Sequence, residues 1–185
     1  ARRLVALAPE SGELLWERVA PHERLETIHQ IGSYAQCTPA TDGERVVSFF
    51  GSSGLHCYDL DGALVWERRM GPFNNTFGAG ASPLICGERV ILAQDHDSDS
   101  FLMALDKRTG NVLWRTDRSE FPRNFCSPIL WEVDGKQQIV VAGTLRVAGY
   151  DLETGTELWT VRGLSRTVCI TPTLGLWMPA GQLHS

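Results

Sequence analysis

The stretch from Ala104 to Trp114, ALDKRTGNVLW, decides the fold because the chain carries three variants of it. These are ALAPESGELLW (Ala6–Trp16), CYDLDGALVW (Cys57–Trp66) and GYDLETGTELW (Gly149–Trp159). In each, an apolar run meets a polar, Gly-bearing turn and leaves it on a second apolar run that ends in Trp. That is the grammar of a tight antiparallel hairpin. The Trp residues follow one another at intervals of 50, 48 and 45 residues.

A second marker recurs more regularly. Ser or Thr precedes Pro at Thr38-Pro39, Ser82-Pro83, Ser127-Pro128 and Thr171-Pro172, with prolines 44, 45 and 44 residues apart. The period is therefore about 45 residues, a length typical of a stacked repeat unit.

Each unit reads as four short strands. The Pro is followed by a turn (TDGE, ICGE, VDGK) and a strongly β-prone run (RVVSFF, RVILAQ, QIVVAG). A second connection leads to LHCYD, FLMALD or RVAGYD, and the hairpin to ALVW, NVLW or TELW completes the unit. Val, Ile, Leu and aromatics fill the strands, and Gly, Asp and Asn mark the turns. Helical periodicity is absent. Four-stranded units of this length predict an all-β propeller, because each sheet has an apolar face that a neighbouring blade must cover.

At this point the chain resembles the pyrroloquinoline-quinone-like (PQQ-like) β-propeller repeat family. That family's docking motif is Ala-x-Asp-x-x-Thr-Gly-x-x-x-Trp. Ala104, Asp106, Thr109, Gly110 and Trp114 match it throughout, and Asp151, Thr154, Gly155 and Trp159 match it with Gly149 in place of Ala. The unit with Asp59, Gly62 and Trp66 is one residue short in its turn. The unit with Ala6, Gly12 and Trp16 has Ala8 for Asp and Ser11 for Thr. The resemblance covers residues 1 to about 172 and assigns these positions a docking role. An indole across a blade junction needs a small residue opposite, and an Ala or Gly on the adjoining blade is expected to leave the room.

The strand count gives about four blades' worth: the last two strands of a blade over 1–20, complete blades over 36–69, 80–117 and 125–162, and the start of a further blade over 168–185. The expectation is a partial ring, or a four-bladed ring if the termini close it. The tail LWMPAGQLHS, with Pro179 and little β-branching, suits closure poorly. The family usually builds larger rings, so completion by further repeats or by a second chain, such as a dimer, is expected.

A net charge of −5 with no dense Lys/Arg stretch excludes a phosphate-tracking nucleic-acid binder. No apolar run approaches the roughly 18 residues that suggest a transmembrane helix, and the first ten residues lack the apolar core of a signal peptide. The five cysteines, Cys37, Cys57, Cys86, Cys126 and Cys169, contain no CxxC pair and lie mostly beside strand-like runs, where a thiol behaves as a small buried apolar group.

Strand alternation places the second-to-third-strand and blade-to-blade connections at one end of every unit. That end carries the long, individual loops PHERLETIHQIGSYAQ, MGPFNNTFGAGA, DHDSDS and DRSEFPRNF, and is the candidate binding face. Asn74, Asn75, His96, Arg118 and Arg123 are its candidate contact residues. Arg118, Glu120 and Arg123 form either an acidic-ligand site or an ion-pair cluster. Asp95, Asp97 and Asp99 alternate like the start of a calcium loop, but Ser100 replaces the Gly such a loop needs at its sixth position. A solvated hairpin tip is the plainer reading.

No catalytic residue and no cofactor are assigned. The resemblance implies a non-enzymatic scaffold presenting loops to a protein or ligand, as in outer-membrane assembly factors with similar repeats, and a periplasmic or extracellular location. The alternative is part of a quinoprotein dehydrogenase with pyrroloquinoline quinone and calcium. Those enzymes carry a vicinal cysteine pair against the quinone, and no two cysteines here are adjacent.

Overall fold

A strand with apolar side chains on both faces needs cover on both sides. In the computed structural model, which describes residues 2–21, 27–167, 169 and 171–174, each middle strand has it. Strands β1 (Arg2–Leu7) and β2 (Leu14–Ala20) pair as a hairpin. Three four-stranded antiparallel sheets follow, each in simple sequence order. The first blade is β3 (Ala40–Thr41), β4 (Val46–Phe49), β5 (Leu55–Tyr58) and β6 (Leu64–Arg68). The second is β7 (Leu84–Cys86), β8 (Arg89–Gln94), β9 (Phe101–Asp106) and β10 (Val112–Asp117). The third is β11 (Ile129–Val133), β12 (Lys136–Gly143), β13 (Arg146–Asp151) and β14 (Glu157–Arg162). Apart from one 3₁₀ turn at Gly51–Ser53, no helix occurs among the described residues. The chain is a partial β-propeller. The further blade expected over 168–185 lies, but for Cys169 and residues 171–174, outside the described residues.

Strand β8 shows why the middle runs read as unbroken apolar sequence. Val90 and Leu92 pack on Val47, Phe49, Leu55 and Cys57 of the first blade. Ile91 and Ala93, on the opposite face, join Ile139, Val141, Ala148 and Tyr150 of the third. All four β8 side chains are buried, so alternation of polar and apolar residues has no place there. At the N-terminal side Leu4 and Ala20 of the hairpin pack on Phe50 and Tyr58, with Trp16 at the margin.

The motif Trp residues join each unit to the next. The Trp16 indole donates to the Leu60 carbonyl at 2.9 Å, Trp66 to Lys107 at 2.8 Å and Trp114 to Leu152 at 3.0 Å. Each acceptor immediately follows the motif Asp of the next turn. The turn glycines are bound to this contact. Gly62, Gly110 and Gly155 have φ of +77°, +71° and +71°, and a Cβ there would fall 2.6, 2.7 and 2.3 Å from the indole of the preceding unit. Any side chain meets both backbone strain and an aromatic ring.

The small motif residue sits elsewhere than the sequence suggested. Ala6, Ala104 and Gly149 are register partners of Trp16, Trp114 and Trp159 within the same sheet. The adjoining blade contributes the turn Gly instead, because the indole extends beyond its own strand and meets the next sheet at its hairpin. Trp159, with no further blade described beyond it, donates to Gln138 of its own sheet at 2.6 Å.

The Asp of the motif organises its turn. Asp106 Oδ1 accepts from the Arg108 and Thr109 N–H groups and the Thr109 hydroxyl, and Asp151 Oδ1 does the same for Glu153 and Thr154. The Thr hydroxyl bond foremost holds both carboxyls below the usual carboxylate range. Ala8 offers no carboxylate, yet its turn keeps the backbone bonds from Ala8 N–H to Glu13 and from Gly12 N–H to Ala8.

Nearer the inner edge, the Ser/Thr-Pro marker gains a role its sequence did not disclose. Thr38 N–H donates to Ser82 Oγ at 2.8 Å, and Ser82 N–H donates to Ser127 Oγ at 2.9 Å. Each hydroxyl thus receives the marker N–H of the preceding blade. The Cys37 thiol donates to Ala79 O at 3.3 Å, and burial pushes its pKa up to about 12. Cys57 and Cys86 are buried free thiols, Cys126 is buried beside Asn124, and Cys169 is exposed.

Candidate functional site

The connections from second to third strand cover residues 50–54, 95–100 and 144–145, and those from blade to blade include 69–83 and 118–128. Strand alternation sends both sets to one end, where they bond to each other. Arg2 Nη1 donates to Phe50 O at 2.8 Å and to the Ser53 hydroxyl, which donates to Pro21 O at 2.9 Å. Asp97 N–H donates to Asn74 O at 2.9 Å, and Arg123 N–H to His96 O at 2.9 Å. Thr144 Oγ1 donates to Pro122 O at 2.8 Å.

At the centre lies a buried ionic clasp between the second and third blades. Arg118 Nε and Nη2 donate to the two oxygens of Asp95, each at 2.9 Å. Nη1 donates to the Tyr150 hydroxyl on β13. Asn124 Nδ2 donates to Asp95 Oδ2 at 3.2 Å and to Ala142 O at 2.6 Å. The guanidinium carbon stands 4.1 Å from the Phe121 ring centre, and that of Arg146 stands 4.5 Å from the same ring. Bidentate geometry with a phenol hydroxyl and a π face meets the demand of a fully desolvated cation, and the Asn124 amide adds a donor to its carboxylate partner.

This geometry corrects the sequence-based list of contact residues. Arg118 has 0% exposure, and His96 and Asn75 are 1% and 2% exposed, so none of them faces a ligand. Asn74 and Arg123 are the exposed members, with Arg123 paired to Asp97 at 2.7 Å. Arg118, Glu120 and Arg123 do not converge: Glu120 pairs with Arg146 instead. The three alternating carboxylates also part company. Asp95 turns inward to Arg118, Asp97 pairs with Arg123, and Asp99 is exposed at φ 58°. No group of three or more His, Cys, Asp or Glu side chains placed to hold a metal ion occurs among the described residues.

His96 is a buried titratable group of this end outside the clasp. Its ring stacks on Phe73 at 4.2 Å, Nδ1 meets Gln94 Nε2 at 3.2 Å, and Nε2 has no hydrogen-bond partner among the described residues. Burial drives its pKa down to about 4, against the opposing pull of Asp97.

Sequence reasoning missed Leu145. It occupies the two-residue connection Thr144-Leu145 with φ 67°, a region where a branched side chain is strained, and is 53% exposed. Its backbone is held by a bond from Leu145 N–H to Ser165 O at 3.0 Å and one from Gly163 N–H to Leu145 O at 2.9 Å. The available signal was a Leu where a tight hairpin favours Asn or Gly. Ile31, 76% exposed, is a second large apolar side chain on these loops.

Comparison with known proteins follows this architecture. A family model described as outer membrane protein assembly factor BamB matches residues 1–167. The crystal structure of BamB from Moraxella catarrhalis is similar with a TM-score of 0.59 and 22% identity, over 82% of this chain and 40% of that one. Quinohemoprotein alcohol dehydrogenase from Comamonas testosteroni is similar with a TM-score of 0.55 and 19% identity, over 69% of this chain and 21% of that one. A europium-containing methanol dehydrogenase gives 0.51 and 19%, over 67% and 24%. The chain thus spans less than half the length of each. No match to a curated protein is found by sequence. No helix among the described residues is long and apolar enough to cross a membrane.

Removing one partner of the clasp strands a buried charge. Asp95→Ala is expected to cost about 3–5 kcal/mol in urea unfolding, and Asp95→Leu combined with Arg118→Met to recover much of that loss. Equal losses in the single and double variants would contradict the clasp.

For His96 the unfolded chain takes up a proton near 6.5 and the folded chain only near 4. Its contribution is complete above pH 6.5, falls as pH drops toward 4, and is constant below. The loss amounts to about 3 kcal/mol at most, at 1.36 kcal/mol per unit. Unfolding free energies of the wild type and His96→Gln, compared between pH 7 and pH 4, should converge toward acid. Parallel curves would refute the assignment.

Proposed function

Because this chain belongs to the outer membrane protein assembly factor BamB family of PQQ-like propellers, we propose that it is a non-enzymatic, extracytoplasmic scaffold that binds protein at its loop-bearing end. Part of the same reading is that its own faces associate to complete a larger ring.

The observation that carries the reading is the pairing of a rigid platform with a strained, exposed apolar tip, Leu145. Loops that must present a fixed shape cannot fray. Here those loops are cross-bonded at every seam and anchored by the Asp95–Arg118–Tyr150 clasp. Leu145 is held exposed at φ 67° on that platform, where burial cannot account for its being Leu. Backbone strain that persists at a surface site is an argument for recognition, and an apolar anchor rimmed by polar groups is the composition of a protein-binding surface. Asn74, Asp99 and Arg123 supply polar groups on the same end. In this reading the indole junctions hold the blades and do not touch the partner.

Affinity capture from a bacterial envelope extract, run in parallel with wild type and with Leu145→Asp and Arg123→Glu variants, tests the reading. The wild type should retain a partner that the variants lose by about tenfold, the loss of roughly 1.4 kcal/mol of binding. In the same preparations, addition of pyrroloquinoline quinone and calcium should produce no dye-linked oxidation of alcohols or aldehydes. Clear turnover would overturn the scaffold reading in favour of a quinoprotein dehydrogenase.

A further inference from the structure

The connection 95–100 of the second blade ties the loop-bearing end together. On one side Asp97 N–H donates to Asn74 O at 2.9 Å, in the connection 69–83. On the other, His96 O accepts from Arg123 N–H at 2.9 Å, in the connection 118–128. Ser100 Oγ accepts from His96 N–H at 2.9 Å and donates to Phe121 O at 3.1 Å. The Phe73 that stacks on His96 is itself held by the first blade: its N–H donates to Ser52 Oγ at 3.0 Å, and its ring lies 6.2 Å from that of Phe49. One imidazole thus stands in a line of contacts that runs from the first blade to the connection entering the third.

The seat is built for the neutral ring. Gln94 Nε2 stands 3.2 Å from Nδ1, so with the amide donating, the neutral ring carries its proton on Nε2. Neither Nε2 nor Gln94 Oε1 has a hydrogen-bond partner among the described residues, although His96 and Gln94 are 1% and 0% exposed. A second proton would go on Nδ1, against the amide, and leave a cation whose other N–H meets no acceptor. Phe73 and Phe101 line it at 4.2 and 5.8 Å. A ring face returns only part of what an imidazolium loses with its water.

The charged groups around the seat are committed elsewhere or repel. On its own connection Asp95 is held by Arg118 and Asp97 by Arg123, and Asp99 is exposed. From β10 comes Arg115, whose guanidinium lies over Phe101 at 4.7 Å and disfavours a second cation nearby. The connection 118–128 adds Arg118, Arg123 and Glu120, the last paired with Arg146. In 69–83 the one charged residue is Arg69, beside Glu67. Arg89 and Asp106, the charged residues of β8 and β9, lie at the turn end. Burial outweighs the pull of Asp97 and, with Arg115, brings the ring's pKa down to about 4.

We propose that His96 is an acid latch of the loop-bearing end: neutral, it holds the connections 69–83, 95–100 and 118–128 on one another, and on taking up a proton it leaves its seat and frees them. The blades stay joined, because the junctions at the turn end hold no such group. There the Trp66 and Trp114 indoles donate to carbonyls, and the turn carboxyls Asp106 and Asp151 titrate below the usual carboxylate range. Acid therefore loosens the surface that presents Asn74, Asp99 and Arg123 and leaves the propeller standing. This adds a regulation to the loop-end reading and rests on that reading for its consequence alone. A released ring titrates at its ordinary 6.5 and a seated one at about 4, so closure is complete above pH 6.5 and weakens as pH falls toward 4. The open fraction grows about a hundredfold between pH 7 and pH 4.

Amide hydrogen exchange of the full chain, read residue by residue by NMR at pH 7 and pH 4 and corrected for the intrinsic pH dependence, tests the latch. In the wild type, protection of the Gly78, Asp97 and Arg123 N–H groups should fall about a hundredfold, while Gly110 and Gly155 at the turn end change by less than about threefold. His96→Phe keeps an aromatic ring against Phe73 but has nothing to protonate, and should hold loop protection level across the range. Loop protection that is the same at both pH values would overturn the proposal. So would a fall shared equally by Gly110 and Gly155, or one that persists in His96→Phe. Should that variant not fold, the wild type decides alone: the ring nitrogens of His96 and the loop amides must shift with one common midpoint, and separate midpoints would contradict the latch. No partner takes part in these measurements, so their failure leaves the capture experiment at neutral pH, and the loop-end reading, untouched.

Discussion

An indole N–H held by a carbonyl in the next sheet's turn is the contact on which the remaining architecture depends. A four-stranded sheet with two apolar faces has no stable existence alone, since each face must be covered by another layer. Hydrophobic cover is non-directional, so it cannot by itself choose a register between sheets. The contacts from Trp16 to Leu60, Trp66 to Lys107 and Trp114 to Leu152 supply that register. Burial of an indole removes about 150–250 Å² from water, worth roughly 4–6 kcal/mol at 25 cal/mol/Å² as an upper bound.

This constraint divides the labour between the two ends of each blade. Turns that receive an indole cannot vary: they need Gly at positive φ and, in two of the three, Asp with Thr to tie the backbone. The opposite end is free of that demand. There the seams are closed by individual devices, such as Arg2 on Phe50 O and Arg118 on Asp95. Lys107 shows a third kind at the turn end, its Nζ reaching Asp42 at 2.8 Å across to the first blade. Buried polar seams of this sort add specificity of arrangement more than net stability.

How much could be read from sequence follows from the distance between cause and effect along the chain. The hairpins were legible because Gly and Trp occur within a few residues of each other and recur with period. The Ser/Thr-Pro marker was legible as a pattern but not as a cause, since the N–H that Ser127 accepts comes from Ser82, one whole repeat away. The Ala or Gly expected beside each indole could not be placed from spacing, which does not distinguish a cross-strand partner such as Ala104 or Gly149 from a turn Gly of the neighbouring sheet. Arg118 looked like a surface cation for a related reason. Its polar neighbours suggest solvent, and the Asp, Tyr and Asn that bury it lie 23, 32 and 6 residues away. Leu145 was overlooked because it lies between the apolar runs IVVAG and RVAGY and reads as one more strand residue rather than as an exposed, strained tip.

The most direct test of the central contact is a double-mutant cycle between Trp66→Ala and Gly110→Ala, read by chemical unfolding. A Cβ at residue 110 would stand 2.7 Å from the Trp66 ring, so much of the cost of that methyl group should vanish once the indole is removed. A coupling of about 1 kcal/mol or more is the predicted result. Losses that add to within roughly 0.5 kcal/mol would show that the indole and the turn act independently, and would contradict the account.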